Sequence, residues 1–556
     1  MSHEGTAGSQ VRWWVAGAFT QSPSGRRFQV TPDSFAEELA RSATGLRVSV
    51  ADRLGAGETR AFELTFPKLR SFIVAEVVSA LPELRALKAL MDGLDKLPAE
   101  AAVKSIEAVV GAGRLSESVG AVLREKQAPA APAPKTGHGV GNGVAPHAPA
   151  APRQPDLVDA IFERTDAARP EQAAKAGVDA FLRAVGTRSA PPANPASATA
   201  PARALVEEAV LATARDVLAH PLVARLESAW RGLKMLVDHC PASSGMALEV
   251  FDVEGPSAVD GLENQLPLDR FERPDALFVV EAVDDVALLG RLAALGERAQ
   301  LPVVVEVPPS LFGVTSAAEV VTRVEEEGGG VSEAWAALRA EESSRWLCAA
   351  LHRVVVMVDG QGARRRTSFT SAALGVACML ASSFRETGSF ARIVGGPGGV
   401  QAPAVWQLPP GREGGTAVPT ETFFPVRTQS RLAELGVLGL GSGRNTDVLQ
   451  LTAAPMVYGG EHRVPLPAQI LTGRIVRFAQ WVRDQLPSGA GDAEVSTLFS
   501  QAADVFLFGG AAPAGRVRGE VVPTGEGTRG VRVTALVRPE YAGMPLELGF
   551  VLPMRG

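Results

Sequence analysis

Between Met246 and Leu351, short apolar runs alternate with segments of helical period. "MALEVFDV", "DALFVVEA" and "LPVVVEVPPS" are brief and rich in valine and other strand formers, whereas "DDVALLGRLAALGERAQ" repeats leucine and alanine every three or four positions. This βαβ-type order predicts adjacent parallel strands. "SEAWAALRAEESSRWLCAALHRVVVMV" reads as a further helix running into a strand. Upstream, "ARALVEEAVLATARDVLAH" forms a helix that Pro221 ends, and the next helix carries Leu222, Leu226, Trp230, Leu233 and Val237 on one stripe. Leu226, Trp230, Leu233, Trp335 and Trp346 are the expected core anchors of this part.

The C-terminal runs "GRVRGEVVP", "RGVRVTALVRP" and "PLELGFVLP" alternate with period two. Val517 and Val521, Val531 and Val533, and Leu546, Leu548 and Phe550 then share one side of a half-buried antiparallel sheet with open edges, which makes them the candidate strands for pairing between copies. At the other end, "RRFQV", "GLRVSVADRL" and "AFELTF" read as strands and "EVVSALPELRALKALMDGLDKL" as helix. "TPDSFAEELARSA" predicts a helix with Pro32 near its start and a capping box from Ser34 to Glu37.

Low-complexity composition divides the chain. Residues 128–155 are a Pro/Ala/Gly linker and residues 189–202 a Pro/Ala linker, because neither carries enough core-forming residues to offset its ordering entropy. Residues 156–188 between them have helical spacing. The expected organisation is a small α/β module at 1–127 and a larger α/β domain at 203–556, in a chain whose 556 residues exceed the size of a single core. The fold class is α/β, mixed with α+β character at the C-terminal strands. A linker of 28 residues spans about 30 Å as a coil and about 85 Å when extended, so it reaches within one protomer or across neighbours.

Charge and candidate chemistry narrow the function. With 55 basic and 61 acidic residues the formal charge is −6, which gives no broad positive field for nucleic acid. Cys240, Cys348 and Cys378 are too dispersed for a disulfide framework or a thiolate metal site and read as core thiols. The seven histidines, His3, His138, His147, His220, His239, His352 and His462, include no zinc-helix pair. Glycine clusters at "VGGPGGV" and "GLGSGRN" lack the phosphate-loop spacing and read as turns. Asp284 and Asp285 read as helix caps, and the "RRR" of residues 364–366 as a solvated turn. "TSFTSAALGVACMLASSF" reaches membrane-span length, but its Ser, Thr and small residues favour a buried helix. The N-terminus has no signal-peptide pattern. No catalytic set, cofactor or metal is expected, and the cytoplasm is the expected compartment.

The larger motifs carry a resemblance. "DVLAHPLVARLESAWRGLKMLVD" resembles the large subunit of the type VI secretion contractile sheath, the VipB or TssC family, and the likeness continues in order through "LPVVVEVPPSLFGV", "AWAALRAEESSRWLCAALHRVV" and "VPTETFFPVRTQSRLAELGVLGL" to the final strands. "FQVTPDSFAEELARSATGLRVSVADRLG", "FELTFPKLRSF" and "LPELRALKALMDGLDKL" resemble the small subunit, VipA or TssB. The resemblance implies a fusion of both sheath proteins. It also implies helical self-association around an inner-tube protein, contraction, contact with baseplate components and no stable membrane insertion. "LVDAIFERT" resembles the large-subunit N-terminal helix, which implies that Leu157, Val158, Ile161 and Phe162 form a docking face for a AAA+ disassembly ATPase. The stretch between "VFDV" and "DALFVV" is shorter than in that family; a sheath-like adaptor or baseplate scaffold that forms no tubes is the alternative reading.

Overall fold

A computed structural model describes residues 11–91, 93–94, 97–127, 200–254, 257–267, 272–326, 330–360, 365–409, 415–487, 489–508, 514–525 and 528–554. The chain divides into two compact units, each assembled from separate stretches of sequence. One unit joins Met1–Ala51, Thr59–Leu81 and Thr213–Gly556; the other comprises Asp52–Glu58 and Pro82–Ala212.

The reason lies in one strand. In the first unit a seven-stranded sheet is built from β1 (Val11–Gly17), β2 (Arg27–Val30), β5 (Met246–Asp252), β6 (Ala276–Ala282), β7 (Val303–Glu306), β8 (Leu347–Leu351) and the strand Val437–Gly439; β3 (Leu46–Ala51) and β4 (Thr59–Leu64) form a separate antiparallel pair. Across the large sheet the order is Val437–Gly439, β8, β7, β6, β1, β5, β2. The strands run parallel except β2, which is antiparallel to β5. The expected βαβ neighbours β6 and β7 are adjacent, but β5 and β6 are not, because β1 lies between them, pairing Trp13 with Leu248 on one side and with Ala276 on the other.

A central strand is buried on both faces, which explains the near-continuous apolar sequence "VRWWVAG". Trp14 joins Phe251, Leu277, Val303, Val305 and Ala349 in a core completed by Leu289 and Leu292 of the helix Val286–Ala299 and by Trp335. Trp13 meets Phe278 and Phe390. The helix Ala372–Thr387, the stretch of membrane-span length, packs against β6, β7 and β8 and against the helix Pro221–His239. Its residues from Ala372 to Ser383 are all buried, and Ser371 caps its first turn by accepting the Ala373 N–H.

Two local expectations change. Ser34 makes no forward cap to the helix Phe35–Ser42. Instead Thr31 and Ser34 bond each other, with the Thr31 N–H on Ser34 Oγ at 2.9 Å and the Ser34 N–H on Thr31 Oγ1 at 3.2 Å, while Glu37 pairs with Arg41 at 2.6 Å. The residue before Pro32 is biased to extended backbone, so the capping turn closes at Thr31. In the Arg stretch, Arg366 is not a solvated turn residue: it reaches the buried Glu227 at 2.5 Å and the Phe72 carbonyl at 2.6 Å. Asp285 caps its helix as expected, accepting the Ala287 N–H at 2.9 Å.

The same unit ends in a second core. The helices Leu466–Gln485 and Asp492–Phe506 cover one face of the three-stranded antiparallel sheet Gly515–Gly525, Thr528–Val537 and Leu546–Pro553. Arg477, itself buried, ties the first of these helices down through Asp275 at 2.5 Å and the Gln300 carbonyl at 2.7 Å; Asp275 also accepts the Arg12 N–H at the start of β1.

The second unit is helical, with Pro82–Met91, Ala99–Val110, Arg114–Gln127 and the start of Ala200–Ala219. Leu84, Leu87, Ile106, Leu115, Val119, Val206 and Val210 are buried at helical spacing. Residues 128–199, which hold one expected linker, the segment 156–188 and most of the other linker, lie outside the described residues; the Ala200–Ala219 helix takes up the last positions of the second linker.

Candidate functional site

The terminal sheet presents two kinds of surface. Val517, Val531, Val533 and Leu546 are buried against the two helices, with Val521, Leu548 and Phe550 half-buried in the same core. Register pairs Val521 with Val531 and Val533 with Phe550, so the alternation read from sequence is the observed one. These side chains therefore hold the sheet to its own helices. What remains for another chain is backbone: Gly515–Gly525 and Leu546–Pro553 are the two edges, and no other described strand pairs with either. One edge group is already engaged, since the Val521 N–H donates to Asp492 at 2.7 Å.

Leu226, Trp230, Leu233 and Trp335 are fully buried anchors. Trp230 has a specific task. Its Nε1 donates to the Phe19 carbonyl at 2.9 Å, and its ring meets Phe19 and Phe35 edge-on, each at 5.5 Å. Three residues earlier on the same helix, Glu227 is bonded by Arg231 and Arg366, whose other donors hold the carbonyls of Leu69 and Phe72. The stripe that reads as core is thus the seat of the N-terminal segment. Trp346 is not fully buried like the other expected anchors: it is half-buried, packed closely against both Gly296 and Gly473. Leu157, Val158, Ile161 and Phe162 lie outside the described residues.

A cleft of about 1090 Å³ opens at the carboxyl ends of β6, β7 and β8. Glu306 lies in its floor, accepting the Ala372 N–H at 3.1 Å, and burial lifts its carboxyl to about 7. His352 follows β8 with a φ of +94°, rare for any residue but glycine. Its Nδ1 donates to the Leu440 carbonyl at 2.6 Å, its Nε2 accepts the Thr422 N–H at 2.9 Å, and its ring stacks on Phe424 at 3.8 Å. Burial pushes it down to about 4, so it is neutral at pH 7. Beside it Arg353 pairs with Glu421, its Nε and Nη2 both donating to Oε1 while its backbone N–H donates to Oε2; burial alone would lift the Glu421 carboxyl, and Arg353 overrides that and holds it below its ordinary range.

These groups are occupied with one another: both ring nitrogens of His352 hold backbone, and Arg353 and Glu421 share their charges. Burial also pushes the Cys240 and Cys348 thiols up to about 12 and raises Cys378. Among the described residues there is no group of three or more metal-ligating side chains, and no helix is long and apolar enough to cross a membrane. The cleft was not visible in sequence, where the only hint is the polar pair His352–Arg353 directly after the apolar run "LCAAL".

No family model matches the chain, and no curated protein matches it. Among solved structures, the chain is similar to a component of the anti-feeding prophage baseplate, at 12% identity and a TM-score of 0.34, over 59% of this chain and 78% of that one. It is similar to the anti-feeding prophage helical sheath in its contracted state at 13% identity and a TM-score of 0.34, covering 59% and 79% of the two chains. The sheath complex of an extracellular contractile injection system, PVC, also in its contracted state, aligns at 12% identity and a TM-score of 0.34, over 62% and 81%.

Proposed function

We propose that the chain is a structural subunit of a contractile sheath, of the type VI kind, in which both sheath subunits are fused. It polymerises helically in the cytoplasm around an inner-tube protein and contracts to drive that tube outward. The reading assigns it no reaction and no cofactor. The observation that carries it is the order of motifs resembling the small and then the large subunit, in a chain whose C-terminal sheet offers two open edges. Strand addition at such edges links rigid bodies through backbone hydrogen bonds, and a head-to-tail link that does not close on itself builds an open helix.

Negative-stain electron microscopy of the chain alone, and with an inner-tube protein, tests this. Hollow tubes of uniform width are the expected result. Discrete particles under both conditions refute it and leave the adaptor or baseplate scaffold. The proposed docking of a AAA+ ATPase on Leu157, Val158, Ile161 and Phe162 has its own test: Ile161→Asp with Phe162→Asp abolishes ATPase binding, and retained binding rules it out.

A further inference from the structure

We propose that a second concavity, beside the C-terminal end of the helix Ala372–Thr387, is a binding site for a single carboxylate joined to an aromatic ring by a short aliphatic link. It has a volume of about 370 Å³ and lies between that helix, the segment just before β5 and the helices Leu466–Gln485 and Asp492–Phe506, all in the first unit. Phe384, Phe390, Phe506, Phe508 and Tyr541 line it, with Phe384 stacked on Phe390 at 5.1 Å and Phe508 edge-on to Tyr541 at 6.5 Å. Rings placed in this way accept a further ring by offset stacking or edge contact. A mostly apolar hollow of this size with one polar group to orient its occupant is what a small-ligand site presents.

Arg474 is that polar group. It is the only formally charged residue among those described as lining the pocket, which include no aspartate or glutamate. Its side chain is 12% exposed, and its guanidinium makes no hydrogen bond among the described residues. Its ionic partner, Asp275, lies 3.8 Å from Nε, beyond hydrogen-bond distance, and is engaged elsewhere: Oδ1 accepts from Arg477 at 2.5 Å and Oδ2 accepts the Arg12 N–H at 3.1 Å. Two guanidiniums therefore share one carboxylate, and one positive charge is left over. None of the Arg474 nitrogens is closed off from solvent, so its donors stay open to an occupant of the pocket. Donors held largely out of water without partners are costly, and a guanidinium fork fits a carboxylate through two parallel hydrogen bonds.

The helix ends choose between anions. Ala372–Thr387 and Asp492–Phe506 both terminate at the wall, where Thr387 and Phe506 line the pocket. Helix C-termini carry partial negative charge, which disfavours a phosphate or a second acidic group and leaves room for one carboxylate against Arg474. Two sources supply this chemistry: a free aryl-alkanoic acid, or the carboxy-terminal aromatic residue of another chain. This inference is independent of whether the chain forms tubes.

Isothermal titration calorimetry on the full chain tests it, with 3-phenylpropionate and 3-phenylpropionamide as one pair of probes and the peptide Gly-Ala-Gly-Phe, with a free or an amidated C-terminus, as the other. At least one of the two acids binds saturably, and its amide binds at least roughly tenfold more weakly, a difference of about 1.4 kcal/mol. Tighter binding of the peptide acid identifies a chain terminus as the occupant, and tighter binding of 3-phenylpropionate a free acid. Arg474→Gln weakens the acid roughly tenfold or more, and Arg474→Lys, which keeps the charge but loses the fork, weakens it less. Ser243 is exposed and lines the pocket, so Ser243→Trp fills the space without disturbing the core and also abolishes binding. Circular dichroism confirms that each variant is folded. No saturable binding of either acid, equal binding of acid and amide, or affinities unchanged in folded Arg474→Gln and Ser243→Trp chains would overturn the proposal.

Discussion

Replacing Glu306 by glutamine turns a buried, titrating carboxyl into an amide of the same shape. The carboxyl lies at the end of β7, and burial moves it from 4.5 to about 7 against the pull of the Ser371 hydroxyl, the Arg353 guanidinium and the Ala372 N–H. Below pH 4.5 it is protonated in folded and unfolded chains alike and does not affect the balance. Between about pH 4.5 and 7 the unfolded carboxyl loses its proton while the folded one keeps it, so the folded state binds more protons and stability falls as pH rises. At about 1.4 kcal/mol for each pH unit of that window, the loss reaches about 3 kcal/mol and is complete near pH 8. Glu306→Gln keeps an oxygen for the Ala372 N–H but cannot ionise. The variant is expected to match the parent near pH 4.5 and to exceed it by about 3 kcal/mol at pH 8. Urea unfolding followed by tryptophan fluorescence across that range measures the difference directly. Stability curves that stay parallel from pH 4.5 to 8 would refute the account of Glu306 as a buried acid whose desolvation outweighs its hydrogen bonds.

Other outcomes follow from named contacts. Trp230→Phe removes the donor to the buried Phe19 carbonyl and is expected to lower stability by about 2 kcal/mol, whereas Trp14→Phe, whose Nε1 has no hydrogen-bond partner, loses less; equal losses in urea unfolding would contradict this. Gly232→Ala should stabilise a helix by about 1 kcal/mol on propensity alone. A Cβ there would lie 2.0 Å from Thr370 Oγ1, so the measured change is expected to be destabilising instead. His352 works against Glu306 over the overlapping range: its pKa is depressed from 6.5 to about 4, so its contribution is lost as pH falls through that window, and the stability difference between the parent and His352→Gln should change by that loss across urea unfolding from pH 6.5 to 4. Deleting residues 11–17 leaves β5 and β6 without their shared neighbour, and the chain is expected to be insoluble or readily cleaved in limited proteolysis.

Elements whose signal is local were legible. The Pro221–His239 helix, the run of strands β6 to β8 and the three terminal strands match their sequence periods, because a buried stripe or face imposes its spacing on the residues that form it. The place of β1 was not legible. "VRWWVAG" carries no alternation, being covered on both faces, and its partners begin more than two hundred residues later, so nothing near it in sequence marks it as the middle of a sheet. The Thr31–Ser34 turn was missed because a capping box one turn later fits the same residue types. Glu306, Arg353 and Glu421 escaped for a further reason: they come from three separated segments, and only the sheet brings them to one cleft.

That strand order also sets a timetable. Synthesis proceeds at about 5 to 20 residues per second, so roughly ten to fifty seconds pass between the appearance of Gly17 and that of Met246, the start of its first partner. For that interval a heptapeptide with two tryptophans, two valines and one charge has nowhere to pair, in the kind of segment that seeds aggregation when exposed. An exposed segment of this kind favours aggregation of the unfinished chain, so yield in a cell is expected to rise with the supply of holding chaperones more than the stability of the finished protein would indicate.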